Sequence, residues 1–171
     1  QKVGDERKGI EILESAINKG IQSALLYYYL GDAYTRFNDI SSAERYYRLS
    51  AEIKEDFIES WKKLGGTYLK NKKFQDAEKV YQHLNEIEPD NPLYLQTLAE
   101  IQLELKKRDE AEKNYRLLLK DDPDNQDYKV KLTTILLDSN KLKEAEPLLN
   151  ELVTDEPENI YYQFYLAIMK A

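Results

Sequence analysis

SSAERYY (residues 41–47), QDAEKVY (75–81), DEAEKNY (109–115) and KEAEPLL (143–149) share an Ala-Glu pair that returns at a constant interval. The alanines of these pairs are each 34 residues apart: Ala43, Ala77, Ala111 and Ala145. A fixed interval of this size is typical of repeat proteins, in which one small structural unit is stacked several times. The sequence therefore predicts a chain built from consecutive copies of one unit.

Each interval contains two amphipathic stretches, which predicts a helical hairpin. In residues 58–91 the apolar and small residues recur at helical spacing in both stretches: Trp61, Leu64, Gly65 and Tyr68, then Ala77, Tyr81 and Leu84. Between intervals, EPDNP (88–92), DPDN (122–125) and EPEN (156–159) combine a proline that ends one helix with an asparagine placed to cap the next. No strand-like alternation competes with this pattern.

These residues carry a resemblance to the tetratricopeptide repeat. Its pattern of Trp, Leu-Gly, Tyr, Ala, aromatic and Pro is matched by Trp61, Leu64-Gly65, Tyr68, Ala77, Tyr81 and Pro89. Residues 24–57 keep most of the pattern but have Tyr27 in the Trp position, and residues 92–125 and 126–159 depart further from it. The resemblance covers nearly the whole chain.

The resemblance implies an all-α fold, a right-handed α-solenoid (superhelix) of antiparallel helix pairs with about ten helices. We expect one domain over 1–171, with a half repeat at 5–23, repeats at 24–57, 58–91, 92–125 and 126–159, and a half repeat at 160–171. The chain begins with Gln, and we expect it to be a fragment of a longer protein.

Three local expectations follow. The repeated alanines should lie where the second helix of each hairpin crosses the first, and the glutamate beside each alanine should face solvent. Trp61 should be buried, so that its replacement by alanine costs about 3–5 kcal/mol. Pro147 lies inside a predicted helix, and we expect a bend there.

Composition narrows the classes of function. The chain has 171 residues, of which 33% are charged, and a net charge of -7, which argues against a nucleic-acid partner. Without cysteine there is no disulfide or thiolate chemistry, and both oxidising and reducing compartments stay open. The cytoplasm is slightly favoured, and the alternative is a periplasmic or membrane-tethered full-length protein. The most apolar stretch, residues 160–169, is too short to span a bilayer, so no direct membrane insertion is expected.

No catalytic, metal or cofactor site is expected. His83 is the only histidine, the six glycines form no phosphate-binding loop, and the acidic pairs lie beside turn prolines. We therefore predict that the chain is not an enzyme.

By the resemblance, the first helices of successive repeats line a concave groove. The groove-lining side chains would be Tyr28, Asp32, Thr35 and Arg36; Lys62, Lys63, Leu69 and Lys70; Gln96, Thr97, Glu100, Leu103 and Glu104; Lys131, Thr134, Leu137 and Asp138. Leucine recurs in register at Leu69, Leu103 and Leu137, and the charges change from basic to acidic along the chain. We expect a peptide or helix with apolar anchors, acidic toward one end and basic toward the other.

The final stretch carries an apolar face formed by Tyr161, Phe164, Tyr165 and Ile168. Three interpretations stay open at this point: contact with a further repeat, self-association into a homo-oligomer, or contact with another protein.

The function that these observations favour is a non-catalytic protein–protein interaction scaffold, whose partner is a protein or peptide. The alternatives are a regulatory or substrate-presenting arm of a larger enzyme, such as a glycosyltransferase, and an oligomerisation module.

Overall fold

The computed structural model describes the backbone of residues 2–169 and the side chains of residues 7–169; the last two residues of the expected half repeat at 160–171 lie outside this range. Within residues 2–169 the chain forms ten α-helices and no β-strand. The helices are α1 (Lys2–Asn18), α2 (Ala24–Arg36), α3 (Ile40–Ile53), α4 (Ile58–Lys70), α5 (Phe74–Ile87), α6 (Pro92–Glu104), α7 (Arg108–Asp121), α8 (Gln126–Asp138), α9 (Leu142–Asp155) and α10 (Ile160–Met169).

Four hairpins follow the predicted intervals: hairpin 1 is α2 with α3, hairpin 2 is α4 with α5, hairpin 3 is α6 with α7 and hairpin 4 is α8 with α9. Helix α1 corresponds in register to a second helix, and α10 corresponds to a first helix. We call residues equivalent when they are separated by 34 positions or a multiple of 34.

The turn inside every hairpin has the same backbone geometry. Its left-handed residue recurs at equivalent positions, namely Asn38, Lys72, Lys106 and Asn140. In hairpin 2 the N–H of Lys72 donates to the carbonyl of Leu69 at 3.0 Å, and the N–H of Lys73 donates to that of Tyr68 at 2.9 Å. These two bonds satisfy carbonyls that the end of α4 leaves unpaired. Because the turn is the same in every hairpin, equivalent helices stay 34 residues apart along the chain.

The turns between hairpins use the predicted asparagine caps. The Asn91 side chain accepts a hydrogen bond from the N–H of Leu93, and the Asn125 side chain accepts one from that of Tyr128. Pro92 occupies the first turn of α6. A backbone N–H at this position would have no partner within the helix, so the lack of one in proline costs no hydrogen bond.

The helices group into two compact units, the first ending at Asp90 and the second beginning at Asn91. Within each unit a helix packs against the helices that precede and follow it in the chain. A hairpin of about 34 residues is too small to bury an adequate core alone, so each one depends on its neighbours.

In the first unit, small residues allow the two helices of a hairpin to approach closely. Ala43 and Ala77 are fully buried, as predicted. A Cβ atom added to Gly31 would lie 2.6 Å from ring carbons of Tyr47. At the equivalent Gly65, it would lie 2.9 Å from the ring of Tyr81. The aromatic ring of the second helix therefore rests directly on the backbone of the first.

In the second unit, side chains of α6 to α9 form one apolar cluster. It contains Ala111 and Ala145, both fully buried, together with the fully buried ring of Tyr115. Alanine and threonine replace the crossing glycine in these hairpins, as Ala99 and Thr133, and both are buried. Helix α10 packs against α9 through a separate cluster centred on Tyr162.

The expectation for Trp61 is wrong, and the expectation for the repeated glutamates holds only for Glu146, which is exposed. Glu44 and Glu112 do not face solvent: their side chains are 16% and 10% exposed and pair with lysines of the next hairpin. Glu78 is also buried. Trp61 is only partly buried; its indole N–H donates to the carbonyl of Glu55 at 2.9 Å. Burial of the glutamates depends on the neighbouring hairpin, which a periodic pattern does not describe.

Helix α9 continues through Pro147 and has the same length as α3, α5 and α7. No helix within the described residues is both long enough and apolar enough to cross a membrane.

Candidate functional site

In the first unit, α2 and α4 lie side by side and are joined by a salt bridge. Lys63 of α4 places its Nζ 2.8 Å from Oδ1 of Asp32 on α2, and the same Nζ lies 5.8 Å from the ring centre of Tyr28. Three of the predicted groove residues are therefore in contact. The salt bridge links the two first helices on this face.

A depression of about 210 Å³ opens next to this salt bridge, and we call it the basic depression. It is lined by Thr35, Ile40, Tyr47, Lys62, Lys63, Gly66, Thr67 and Lys70. Four of these residues were predicted to line the groove. Gly66 borders open space in the depression, because a Cβ atom added there would meet no other atom within 4 Å.

The lysines give the depression its charge. Lys63 is neutralised by Asp32, whereas no carboxylate of residues 7–169 pairs with Lys62 or Lys70. Both of these side chains are exposed. Because they lie eight residues apart on α4, their attachment points are separated by about 12 Å along the helix axis.

Hydroxyl groups form the floor of the depression. The Tyr47 hydroxyl donates to Oδ1 of Asp32 at 2.7 Å and lies 3.0 Å from Oγ1 of Thr35, which in turn donates to the Gly31 carbonyl. Burial raises the pKa of Tyr47, and the bond to Asp32 adds to this effect. The phenol therefore stays protonated and holds Asp32 in place.

The remaining predicted groove residues of the first unit, Tyr28, Arg36 and Leu69, are not among those that line the depression. The Tyr28 ring packs against the Phe57 ring at a centroid distance of 5.3 Å. Arg36 is exposed at the end of α2, and Leu69 is partly buried.

In the second unit, the predicted residues of α6 and α8 form a mixed polar surface. Gln96 links the two helices, because its amide donates to Glu100 at 3.1 Å and its carbonyl oxygen lies 3.4 Å from the Tyr128 hydroxyl. Thr97 and Thr134 donate to carbonyls of their own helices. Glu100, Glu104, Lys131 and Asp138 are exposed. Acidic side chains thus outnumber basic ones among the predicted residues here.

The leucines of this surface are not free anchors. Leu103 and Leu137 are both partly buried and pack against the apolar core of the second unit. Leu93, which was not among the predicted residues, is 65% exposed on α6.

Helix α10 presents two different faces. Tyr161, Phe164 and Ile168 are about half exposed. Phe164 is equivalent to Tyr28 and Gln96, and Ile168 is equivalent to Asp32 and Glu100, so this apolar face lies in the register of the predicted groove. Tyr165 is more enclosed and packs toward α9. Ala167 and Gln163 lie on the other face of α10, and both are exposed. In the other first helices, the residues equivalent to these two face the second helix of the same hairpin.

Sequence reasoning missed Ile40, Tyr47, Gly66 and Thr67 as parts of the depression. Tyr47 has a dual role, because its fully buried ring packs in the core while its hydroxyl bonds to Asp32 and Thr35 beside the depression. Gly66 is equivalent to Asp32, Glu100 and Thr134, which were predicted groove residues. A comparison of equivalent positions could therefore have identified Gly66 as part of this surface.

Among the described residues, no cluster of three or more histidine or acidic side chains could hold a metal ion. His83 is partly buried, and its ring lies 4.4 Å from the Trp61 ring.

One family model described as tetratricopeptide repeat matches this chain twice, at residues 68–129 and 102–167. A second model with the same description matches residues 24–57. A search of curated proteins found no match.

Several solved structures share the fold. The MamA protein is 16% identical, with a TM-score of 0.68 over 85% of this chain and 80% of that one. YrrB, described as a TPR protein with an unusual peptide-binding site, is 13% identical, with a TM-score of 0.67 over 94% and 82%. A tetratricopeptide repeat protein from Parabacteroides merdae is 17% identical, with a TM-score of 0.68 over 98% and 67%. The family matches and the shared fold agree with the all-α solenoid that the sequence predicts, and the chain belongs to the tetratricopeptide repeat family.

Proposed function

We propose that the chain is a non-catalytic protein-interaction module that binds an acidic peptide or helix of a partner through the basic depression. The observation that carries the proposal is the pair of unpaired lysines, Lys62 and Lys70, beside an open depression. Ammonium groups without a carboxylate partner are free to pair with carboxylates of another chain. YrrB, which has the same fold, is described as having a peptide-binding site.

The spacing of the lysines defines the peptide. A separation of about 12 Å along α4 corresponds to two acidic residues about four positions apart in an extended peptide. In a helical peptide the same separation corresponds to acidic residues about eight positions apart. Apolar residues of the peptide would contact Tyr28 and Leu69, which flank the lysines on the same face.

The second unit supplies a separate surface of different chemistry. Its exposed acidic groups, Glu100, Glu104 and Asp138, favour a basic segment, and the exposed rings of Tyr161 and Phe164 favour apolar side chains. We propose that this surface binds a basic and apolar segment of the partner.

The proposal is tested with two fluorescein-labelled peptides of equal length that place either two glutamates or two lysines four positions apart, with leucine between them. In fluorescence polarisation titrations, the glutamate peptide should bind the wild-type protein more tightly. Its affinity should fall as salt is added, because salt screens exposed charges. Equal affinity for both peptides would contradict the proposal.

A charge-reversal variant locates the site. Lys62→Glu with Lys70→Glu should weaken binding of the glutamate peptide by about tenfold or more, since each exposed ion pair contributes up to about 1 kcal/mol and the two new carboxylates repel the peptide. Lys79→Glu is the matched control, because Lys79 is exposed on α5 and does not line the depression. The control should lose much less affinity than the double variant.

A further inference from the structure

The turn between hairpins 1 and 2 differs from the turns between the later hairpins. It reads KEDF at residues 54–57, whereas the equivalent stretches read EPDN (88–91), DPDN (122–125) and EPEN (156–159). Phe57 therefore stands where the other turns have a capping asparagine, and its side chain makes no capping hydrogen bond. Because a capping side chain stabilises the start of its helix, the exchange lowers local stability. A position that breaks a local rule in this way is typical of a functional site.

The Phe57 side chain lines an open pocket of about 390 Å³ where α2 begins and α3 ends. We call it the apolar pocket; its lining residues are Ser23, Ala24, Leu25, Ile53, Lys54 and Phe57. None of these six residues belongs to the terminal helices α1 and α10. Leu25 and Ile53 are 50% and 46% exposed. In hairpin 4 the residues equivalent to Leu25, Ile53, Lys54 and Phe57 are all polar: Asp127, Asp155, Glu156 and Asn159. The apolar pocket is therefore a feature of hairpin 1 and not of the repeat.

Hydrogen bonds and ring contacts hold the turn that carries Phe57. Its N–H donates to the carbonyl of Lys54 at 3.0 Å, and the indole N–H of Trp61 donates to the carbonyl of Glu55 at 2.9 Å. The Phe57 ring packs against the Tyr28 ring at 5.3 Å, and Nζ of Lys54 lies 5.9 Å from the centre of the Phe57 ring. This wall of the pocket is thus formed before a ligand binds, which lowers the entropy cost of binding.

Tyr28 connects the apolar pocket to the basic depression. Its ring contacts Phe57 on one side and lies 5.8 Å from Nζ of Lys63, which lines the basic depression. Along α4, Phe57 lies about 7.5 Å before Lys62. An extended chain covers this distance with about two residues. One peptide segment can therefore reach both sites.

We propose that the apolar pocket receives a large apolar side chain, such as that of phenylalanine, from the same acidic segment that binds the basic depression. This inference rests on the proposed function and adds a second determinant of specificity to it. Charge complementarity selects the occupant, because the unpaired Lys62 and Lys70 attract a segment with carboxylates, whereas the pocket is lined mainly by apolar atoms. The ligand is an extended segment whose apolar residue lies two positions outside a pair of acidic residues four positions apart.

Four fluorescein-labelled peptides test the proposal, and each contains the two glutamates of the glutamate peptide. In one pair, phenylalanine or serine lies two positions before the first glutamate. In the other pair, phenylalanine or serine lies two positions after the second glutamate. Fluorescence polarisation should show that the phenylalanine peptide of one pair binds about tenfold more tightly than its serine counterpart, because an aromatic ring is buried. Equal affinities within both pairs would overturn the inference.

Two variants locate the contact. Phe57→Asn introduces the residue of the equivalent turns, and Leu25→Glu changes an exposed position, so circular dichroism should show that both are folded. Each should abolish the preference for phenylalanine over serine. Leu117→Glu is the matched control, because Leu117 is also 50% exposed but lies on α7 and does not line the pocket. A preference that survives in both variants, or that is also lost in the control, would contradict the proposal.

Lys70→Glu separates this inference from the proposed function. Lys70 lines the basic depression and not the apolar pocket, so the variant should weaken the phenylalanine and serine peptides by a similar factor. If the serine peptides bind the wild-type protein more tightly than the lysine peptide but phenylalanine adds nothing, only the inference fails. If the serine peptides bind no better than the lysine peptide, the proposed function fails and the inference fails with it.

Discussion

The Nζ atom of Lys141, in the turn of hairpin 4, donates a hydrogen bond of 2.7 Å to Oε2 of Glu112 on α7 of hairpin 3. An equivalent bond of 2.6 Å joins Lys73 to Glu44 in the first unit. The Ala-Glu pair thus has two functions in these hairpins. Its alanine allows the two helices of one hairpin to cross closely, and its glutamate fastens that hairpin to the next.

The carboxylate of Glu112 is held by two cations. Burial alone would raise its pKa, but hydrogen bonds from Lys141 and Arg116 outweigh that effect, so the pKa lies below its ordinary value. The same bond to Glu112 raises the pKa of Lys141. Both partners therefore stay charged at neutral pH.

The bond between hairpins 3 and 4 should be measurable as stability. Glu112→Gln removes the charge that Lys141 and Arg116 bind, and we expect a loss of about 1–2 kcal/mol in the free energy of unfolding by urea. Glu146→Gln is the control, because Glu146 is the equivalent residue of hairpin 4 but is exposed. A similar loss in both variants would show that the bond to Lys141 is not the cause.

The same carboxylate makes stability depend on acid. Because the pKa of Glu112 is lowered in the folded protein, its contribution is present above its ordinary pKa of 4.5 and is lost as pH falls through the lower folded value. The difference in unfolding free energy between wild type and Glu112→Gln should therefore shrink as the pH falls below 4.5. A difference that stays constant down to strongly acidic pH would refute this explanation.

Two glycines of similar helical position should respond in opposite ways to alanine. In Gly31→Ala the new methyl would lie 2.6 Å from the buried Tyr47 ring, and overpacking of this kind costs about 1–3 kcal/mol. In Gly66→Ala the methyl meets open space, and the higher helix propensity should add up to about 1 kcal/mol. Thermal unfolding followed by circular dichroism compares the two, and destabilisation by Gly66→Ala would contradict the geometry of the basic depression.

The left-handed turn residue offers a stabilising substitution. Lys106 has a φ of 61°, which is strained for a residue with a side chain, so Lys106→Gly should raise stability by about 0.5–1 kcal/mol. Lys113→Gly, at an exposed position inside α7, should instead lower it by about 1 kcal/mol. Urea unfolding of both variants is the measurement, and a loss in both would show that the turn at Lys106 is not strained.

Features that repeat within a short stretch of chain could be predicted from the sequence. The helical hairpins, the buried alanines and the asparagine caps each depend on residues close to one another, and the interval between Ala43 and Ala77 already defines them. The small residue at Gly31 or Gly65 and the aromatic ring that covers it belong to one hairpin. Their packing could therefore be predicted from the same repeated pattern.

Features that depend on a neighbouring hairpin could not be predicted in this way. The partner of Glu44 lies on the next hairpin, and a solvent-facing glutamate has the same local pattern as one that binds Lys73. Gly66 shapes the basic depression by lacking a side chain, so a search for groove side chains passes over it. The two faces of α10 became distinct only when its residues were compared with Gly31 and Tyr28 of the first hairpin.

The most direct test of the proposed function is a map of the peptide site by nuclear magnetic resonance. The glutamate peptide is titrated into uniformly ¹⁵N-labelled protein, and backbone amide shifts are followed. We predict that the largest changes fall on the residues around the basic depression, including Thr35, Lys62, Gly66 and Thr67, and that they disappear in the Lys62→Glu and Lys70→Glu double variant. Changes concentrated on the outer surface of α3 and α5, or unaltered by the double variant, would contradict the account.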